Sequence, residues 1–319
     1  MQRLQTIAFY NCENLFDPFN APDKLDREYT PTGYKRWTIE RYENKIGKLS
    51  MAISKIGLDE TGNPPAIVGL SEVENGSVVN DLIHTSYFQD YDYGYVHYDS
   101  DDERGIDVAL IYNKDIFTIA HSEPIHPPML DGGSGRDLTR DILYVKGDLL
   151  YETIHIFVVH LPSQRDEEFN NIKRSAITQK LRERINDLYE TVTDPAILVI
   201  GDFNASPDSP SLKQNLLTEK NRWFDAKKNL YNPMELFGLQ KKFSNAHGFK
   251  KLMFDQMLFS SKFLNVEEKP NLYKADVFNP HFLQEWSRKR KGQPFRTYAG
   301  NNYLGGYSDH FPVYAILKF

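Results

Sequence analysis

"AILVIGDFNASP" (residues 196–207) is the stretch on which the fold turns. Five apolar residues in a row, three of them β-branched, suit a strand buried on both faces. The run stops at Gly201 and delivers a carboxylate, Asp202, and a carboxamide, Asn204, to the lip of the core. The same kind of ending recurs in "FYNCEN" (9–14), "GLSEVEN" (69–75), "VVHLPSQ" (158–164) and "GGYSDHFPV" (305–313). If those strand ends converge, Asn11, Glu72, His160, Asp202, Asn204, Asp309 and His310 meet in one site. Such a site is an all-oxygen metal position beside two imidazoles.

Working outward, strands are expected at 4–11, 65–74, 105–113, 140–149, 153–160, 254–260 and 311–319. Ile39, Tyr42, Ile46, Leu49, Ile53 and Ile56 recur at steps of three and four, one face of an α-helix that Gly57 can terminate. A second helix is expected from Arg165 to about Glu190, with Phe169, Ile172, Ala176, Ile185 and Leu188 at helical spacing. Long strands with few helices to cover them predict two sheets packed on each other and flanked by helices. Gly, Pro and Ser mark loops at 126–137 and 204–211, and a polar, aromatic stretch runs from 275 to 310. No repeat or composition shift marks a boundary, so residues 1–319 read as a single domain.

Composition bounds the function. Apolar residues make up 40%, charged residues 26% and aromatic residues 13% of the chain, a globular profile. A formal net charge of -6 argues against gripping nucleic acid by wholesale positive charge and leaves room for a local basic patch. Cys12 is the only cysteine, which rules out an intramolecular disulfide and suits a reducing compartment; its side chain is expected to pack on the face away from Asn11. The start "MQRLQTIAFY" enters a strand pattern without a signal-like apolar segment, so a cytoplasmic location is expected, or a secreted one if a signal has been removed. No stretch approaches the ~20 apolar residues that span a bilayer, so no membrane insertion is expected.

Three ordered motifs, "SEVEN" (71–75), "GDFNASP" (201–207) and "SDHFPV" (308–313), carry a resemblance to the endonuclease/exonuclease/phosphatase superfamily, the deoxyribonuclease I-like fold. It runs from Asn11 to Phe311. The resemblance implies an α/β fold, a four-layer sandwich of two mixed β-sheets packed face to face and flanked by helices. It implies Glu72 as the principal carboxylate ligand of Mg²⁺ or Mn²⁺, with Asn11 and Asp309 beside it, the oxygen donors a hard cation prefers. Asp202 would position and deprotonate the attacking water while the Asn204 amide donates to the phosphoryl oxygen. His310 would contact the scissile phosphate, oriented by Asp255, and His160 would be the second imidazole, near the leaving group. Gln256 departs from the aromatic or aliphatic residue the family places after that Asp. Glu13 matches a second metal-associated acid and Arg104, with Asp107 in "RGIDVAL", a cleft-lining segment, while Arg140 in "LTRD" and Ser163 in "HLPSQ" are further candidates to reach the phosphate.

Each residue alone has a plainer reading: Asp202 as a turn residue, His160 as a core histidine, Glu72 as an acid at a helix start. Their common order at strand ends favours the functional one. The first class is a divalent-metal phosphodiesterase, most simply a nuclease, because "WSRKRKGQPFRTY" (286–298) interleaves Arg288, Lys289, Arg290, Lys291 and Arg296 with aromatics that suit phosphates and bases. Lys241 and Lys242 read as solvent charges. The alternative is a phosphomonoesterase or phospholipase-type hydrolase of inositol phosphates, sphingomyelin or another small phosphoester, which the acidic balance favours. The lack of a membrane-seeking amphipathic segment counts against a lipid. An inactive binding module is disfavoured, since every essential motif residue is present; a monomer is expected.

Overall fold

The computed structural model describes residues 3–19, 25–128, 139–164, 167–223 and 227–319. The first half of the chain supplies β1 (Leu4–Leu15), β2 (Ile67–Val73), β3 (Tyr93–His97), β4 (Asp107–Asn113), β5 (Phe117–Ile125), β6 (Ile142–Leu149) and β7 (Glu152–His160). The second half supplies β8 (Ala196–Asp202), β9 (Thr218–Glu219), β10 (Leu230–Tyr231), β11 (Asn245–His247), β12 (Lys250–Leu252), β13 (Asp255–Phe259), β14 (Asn271–Val277), β15 (Tyr298–Ala299), β16 (Asn302–Tyr303) and β17 (Val313–Lys318). The helices are α1 (Ile39–Ser54), the single turn α2 (Leu58–Thr61), α3 (Gly76–Ile83) and α4 (Glu167–Thr191). Among the described residues, no helix is long and apolar enough to cross a membrane.

Two sheets form, a six-stranded one in the order β14-β17-β1-β2-β4-β3 and a seven-stranded one in the order β5-β6-β7-β8-β13-β10-β9. Both are mixed: β1 runs parallel to β2 and β7 parallel to β8, while the flanking pairs are mainly antiparallel. The period of two along β8 explains the layering. Ala196, Leu198 and Ile200 enter the core between the sheets, whereas Ile197 and Val199 join the cluster under α4 with Ile177, Leu181 and Ile185. β7 splits in the same way, Ile154, Ile156 and Val158 inward and Phe157 and Val159 outward. On the far side, α1 lays Tyr42, Ile46, Leu49 and Ile53 on the six-stranded sheet. The expected four-layer α/β sandwich is therefore the observed one.

Nine strands have no counterpart in the sequence reading, six of them of only two or three residues and the longer three being β3, β5 and β14. All three are sheet edges, where one side meets solvent and the apolar signal is diluted by residues such as Tyr95, His121 and Lys274. Two expected apolar positions are exposed, Ile39 at the first residue of α1 and Ile172 near the start of α4. Gly57 lies at φ 70°, and a Cβ there would stand 2.3 Å from Thr6 Oγ1, so the turn after α1 needs glycine. Of the loop at 126–137, positions 129–137 lie outside the described residues, as do Arg165 and the side chain of Phe169 at the start of the second helix.

Gly201 sets how closely β8 approaches β7. It faces Val159 in the parallel ladder, and a Cβ would sit 2.2 Å from the Val159 carbonyl oxygen. Gly201→Ala should cost about 1–3 kcal/mol through forced strand separation, measured by urea unfolding. An unchanged midpoint would show that the ladder opens freely there.

Candidate active site

The two parallel pairs bring the catalytic candidates to one edge. In β1 and β2, Asn11 stands opposite Ser71, one residue before Glu72; in β7 and β8, His160 stands opposite Asp202. Antiparallel β13 enters from the other side and sets Asp255 opposite Asp202. Where β1 and β2 shift register, and just past the end of β8, the backbone is bent into the left-handed region at Glu13 (φ 48°), Asn14 (φ 53°), Glu72 (φ 58°) and Asn204 (φ 46°). Each such residue costs about 1–3 kcal/mol and persists only where its surroundings over-determine it, and strain of this kind gathers at functional sites.

Here the surroundings do so. Asn11 Nδ2 donates to Asp202 Oδ2 at 3.1 Å and Asn11 Oδ1 accepts from Glu13 N at 2.9 Å. Asn14 N donates to Glu72 Oε2 at 2.8 Å, and the Arg104 guanidinium donates to Asn14 Oδ1. Asn204 N donates to Asp202 Oδ1 at 2.9 Å, while Asn204 Nδ2 donates to the Leu161 carbonyl at 3.0 Å and keeps its second hydrogen. His310 Nδ1 donates to Asp255 Oδ2 at 2.6 Å, and His310 Nε2 lies 3.9 Å from Asp202 and 3.8 Å from Asp309. His160 Nε2 faces Glu72 at 3.8 Å and Asp202 at 3.7 Å. Its Nδ1 has no hydrogen-bond partner among the described residues, so two carboxylates place the ring proton on Nε2.

Charge is distributed unequally across these groups. Burial and the neighbouring Asp255 push the Asp202 carboxyl up to about 7. Burial opposes a charge on His310, yet Asp255, Asp202 and Asp309 together hold its imidazole well above the ordinary histidine value. Burial, aided by Arg140, Arg104 and His310, drives His160 well below it. Burial would raise Glu72, but Arg104, Arg140 and His310 outweigh it and keep the carboxylate below its usual range. The site thus pairs a charged imidazole with a neutral one, and a readily protonated carboxyl with a firmly ionised one.

The site needs supports that the sequence did not announce. Arg41, Lys45 and Lys48 fall on one face of α1 and grip the segment from Phe295 to Tyr307. Lys45, fully buried, donates to Thr297 Oγ1 and the Tyr307 carbonyl; Lys48 donates to the Gly305 carbonyl; Arg41 lies over the Tyr303 ring at 4.3 Å. Glu13, 3.9 Å from Lys45, accepts from Thr297 N at 2.6 Å and Tyr298 N at 3.2 Å. Ser308 then ties this segment to the site, donating to the Asn11 carbonyl at 2.6 Å and accepting from His310 N at 3.1 Å. Gln256 is a second support: Nε2 donates to the carbonyls of Ala205 and Met253, and Oε1 accepts from Asn232 at 2.7 Å. That explains its departure from the resemblance, because it braces the Asn204 loop from the face opposite Asp255.

The remaining expected residues lie further out. Arg140 is buried against Asp102, with Nε at 3.3 Å, while the Ser163 carbonyl accepts from Arg174 at 3.1 Å. The Asp107 carboxylate is occupied by Ser100 and His97. Cys12 is buried in the apolar core, as packing requires.

Asn11, Glu72 and Asp309 offer oxygens of the kind a divalent cation would take, although Asn11 Oδ1 also accepts from Glu13 N. Glu72 is held ionised, and among the described residues its Oε1 accepts no hydrogen bond while Oε2 is fixed by Asn14. Asp309 keeps its side chain partly open to solvent. Asp202, Asp255 and His310 also lie close enough together to hold an ion, but the 2.6 Å bond between His310 and Asp255 already engages the inner nitrogen of that ring. Oxygen donors select a hard cation.

The fold is that of a family of phosphoester hydrolases. The Endonuclease/Exonuclease/phosphatase family model matches residues 6–318, and the chain belongs to that family. No curated protein matches it in sequence. Among solved structures it is similar to D. rerio TDP2 complexed with single strand DNA product (14% identity, 98% of each chain covered, TM-score 0.56). It is also similar to the human Nocturnin catalytic domain with bound sulfate (15% identity, 98% of this chain and 94% of that one, TM-score 0.55). A third likeness is to a mannosyl-6-phosphatase of Bacteroides thetaiotaomicron (15% identity, 99% and 100% covered, TM-score 0.54). At these identities the likeness shows the fold.

Lys45→Met should cost about 1.5–3 kcal/mol, the scale of a hydrogen bond to a charged group, by urea unfolding. It should also lower kcat, since Ser308, Asp309 and His310 follow the gripped segment. Full stability would mean that water replaces the ammonium without loss.

Proposed function

We propose that the chain is a divalent-metal-dependent nuclease that hydrolyses phosphodiester bonds by attack of water. The observation that carries the nuclease reading is a basic and aromatic segment fastened to the hairpin that bridges to His310. The hairpin of β11 and β12 bridges to His310 through Asn245, and it carries the loop of the basic segment, Gln293 donating to Gly248 and Arg296 to Ala246. Trp286 in that loop is exposed and stacks on His281 at 5.8 Å. Cations and exposed rings extending beyond a single phosphate suit a polymer. TDP2, complexed with single strand DNA product on the same fold, adds weight.

Each residue has a defined task in this reading. Asp202 Oδ2 accepts the proton of the attacking water, its affinity for protons raised close to neutrality. His310, held charged by Asp255, donates from Nε2 to a non-bridging oxygen as negative charge builds. The free hydrogen of Asn204 Nδ2 supplies a second donor. His160, kept neutral, offers an N–H from Nε2 without adding charge that would repel the cation. Mg²⁺ or Mn²⁺ on Asn11, Glu72 and Asp309 would supply Lewis-acid stabilisation of the phosphoryl group. Enzymes of this kind remove on the order of 20 kcal/mol from the barrier. One acid or base provides only about 3–5 kcal/mol, so fixed donors and the cation share the remainder.

A phosphomonoesterase is the second reading, favoured by the net charge of -6 and by the mannosyl-6-phosphatase likeness. A substrate panel decides: single- and double-stranded DNA, RNA, sugar phosphates, inositol phosphates and sphingomyelin, with Mg²⁺ or Mn²⁺. Cleavage of oligonucleotides is expected; release of inorganic phosphate from small esters alone overturns the nuclease reading.

Turnover should vanish in excess chelator, and Glu72→Gln should raise the metal concentration for half-maximal rate. Asp202→Asn and His310→Ala should each lower kcat at least about 10²-fold while melting near the parent temperature. Asp255→Asn removes the charge that raises His310, so His310 loses its proton at lower pH. The alkaline limb of the kcat/KM profile should therefore shift towards neutrality. A fixed limb would detach Asp255 from that role.

A further inference from the structure

Beside the catalytic edge lies a groove of about 560 Å³ that the reaction as described does not use. One wall is the loop after Asn204, with Ser206, Pro207 and Asp208; the other is built by β12 and the 234–242 segment. At its catalytic end stands Gln164, whose Nε2 donates to the Asn204 carbonyl at 3.1 Å, and the floor includes Met253 and Phe254, the two residues before Asp255. The groove therefore opens directly from the residues that flank the reacting phosphate.

Its lining combines two chemistries. Lys220, Lys242, Lys250 and Lys251 contribute four cations against the two acids Asp208 and Glu235. Glu235 is already paired with Lys213 at 3.0 Å, outside the lining, and Lys242 with Asp276 at 2.5 Å. Lys220 and Lys250 make no ion pair among the described residues, and both are exposed. Between the lysines run apolar side chains, with Leu239 at 84% exposure, an arrangement that costs hydration unless something covers it.

We infer that this groove binds the nucleotides next to the scissile phosphate of a single-stranded polynucleotide, their phosphates on Lys220 and Lys250 and a base on Leu239. The inference rests on the nuclease reading and names its substrate class. A strand that carries both charged phosphates and flat apolar bases matches a groove lined by both lysines and apolar side chains. A duplex hides the faces of its bases in the stack, so an apolar floor favours an unpaired strand. An acidic peptide meets the lysines but leaves the floor uncovered.

The test is binding of a fluorescein-labelled single-stranded DNA decamer, with Ca²⁺ in place of the activating metal, across about 50–200 mM salt. Lys220→Gln with Lys250→Gln should flatten the slope of log affinity against log salt by about 1.4, since each single-strand phosphate contact contributes about 0.7. Leu239→Ser should weaken binding with the slope intact. Lys180→Gln with Lys228→Gln, the same charge change outside the groove, should leave the slope as it is. An unchanged slope in the groove variant, an equal change in both pairs, or equally tight competition by a glutamate-rich peptide overturns the groove assignment. If the parent cleaves oligonucleotides while one of these occurs, the groove alone is wrong; if it neither binds nor cleaves them, the nuclease reading fails with it.

Discussion

The hydrogen bond from Asn11 Nδ2 to Asp202 Oδ2 joins the two sheets where their catalytic ends meet. Asn11 belongs to β1 of one sheet and Asp202 to β8 of the other, so the spacing of the two sandwich halves is fixed at the place where chemistry requires it. Both groups are buried, and an unmade bond would cost about 1–3 kcal/mol. The bond also occupies one Asp202 oxygen while Asn204 N occupies the other, so the carboxylate plane cannot rotate. The orientation of the general-base candidate is thus a property of the sandwich.

From that fixed carboxylate the charge pattern follows. Asp202 and Asp255 face each other in the β8–β13 ladder, two buried acids that cannot both remain cheaply ionised. His310 lies between them, and its charge is the response: Asp255 takes the 2.6 Å hydrogen bond and Asp202 is left with a raised proton affinity. Across the cleft, Arg104 and Arg140 outweigh burial to hold Glu72 ionised, and they add to the burial that discharges His160. Opposite protonation states within one small volume arise from which sheet edge each neighbour comes from, the arrangement by which one site supplies both acid and base.

How much of this the sequence displayed depends on burial. β8 was legible because both its faces are covered, which forces an unbroken apolar run, and its end was legible because Asp202 and Asn204 have no other use there. β3, β5 and β14 were not, because edge strands carry one solvent face. Lys45 was hidden for a different reason: a lysine in an amphipathic helix reads as solvated, and only the segment at 295–307, remote in sequence, makes it a buried donor. Gln256 looked like a blemish in a motif until the Asn204 loop gave it partners. Lys242, read as a solvent charge, pairs with Asp276, lies over the Phe237 ring and lines the groove. Local pattern reports what a residue's own element demands, and these residues answer to other elements.

Catalysis and substrate choice are consequently built from different parts. In the proposed function the reacting groups stand on strand ends held by both sheets, whereas the surfaces offered to the rest of a substrate stand on the hairpin, the basic loop and the groove beside them. A family that keeps the first and varies the second can act on unlike phosphoesters, since fold does not fix substrate. The two parts are nevertheless joined here. Asn245 of the hairpin bridges to His310 and donates to the Asp309 carbonyl at 3.1 Å, and Ser244 accepts from the amides of Phe254 and Asp255. A substrate seated on the hairpin, as proposed, would bear on the imidazole and its carboxylate through these bonds, so groups that select it would also bear on the geometry of hydrolysis.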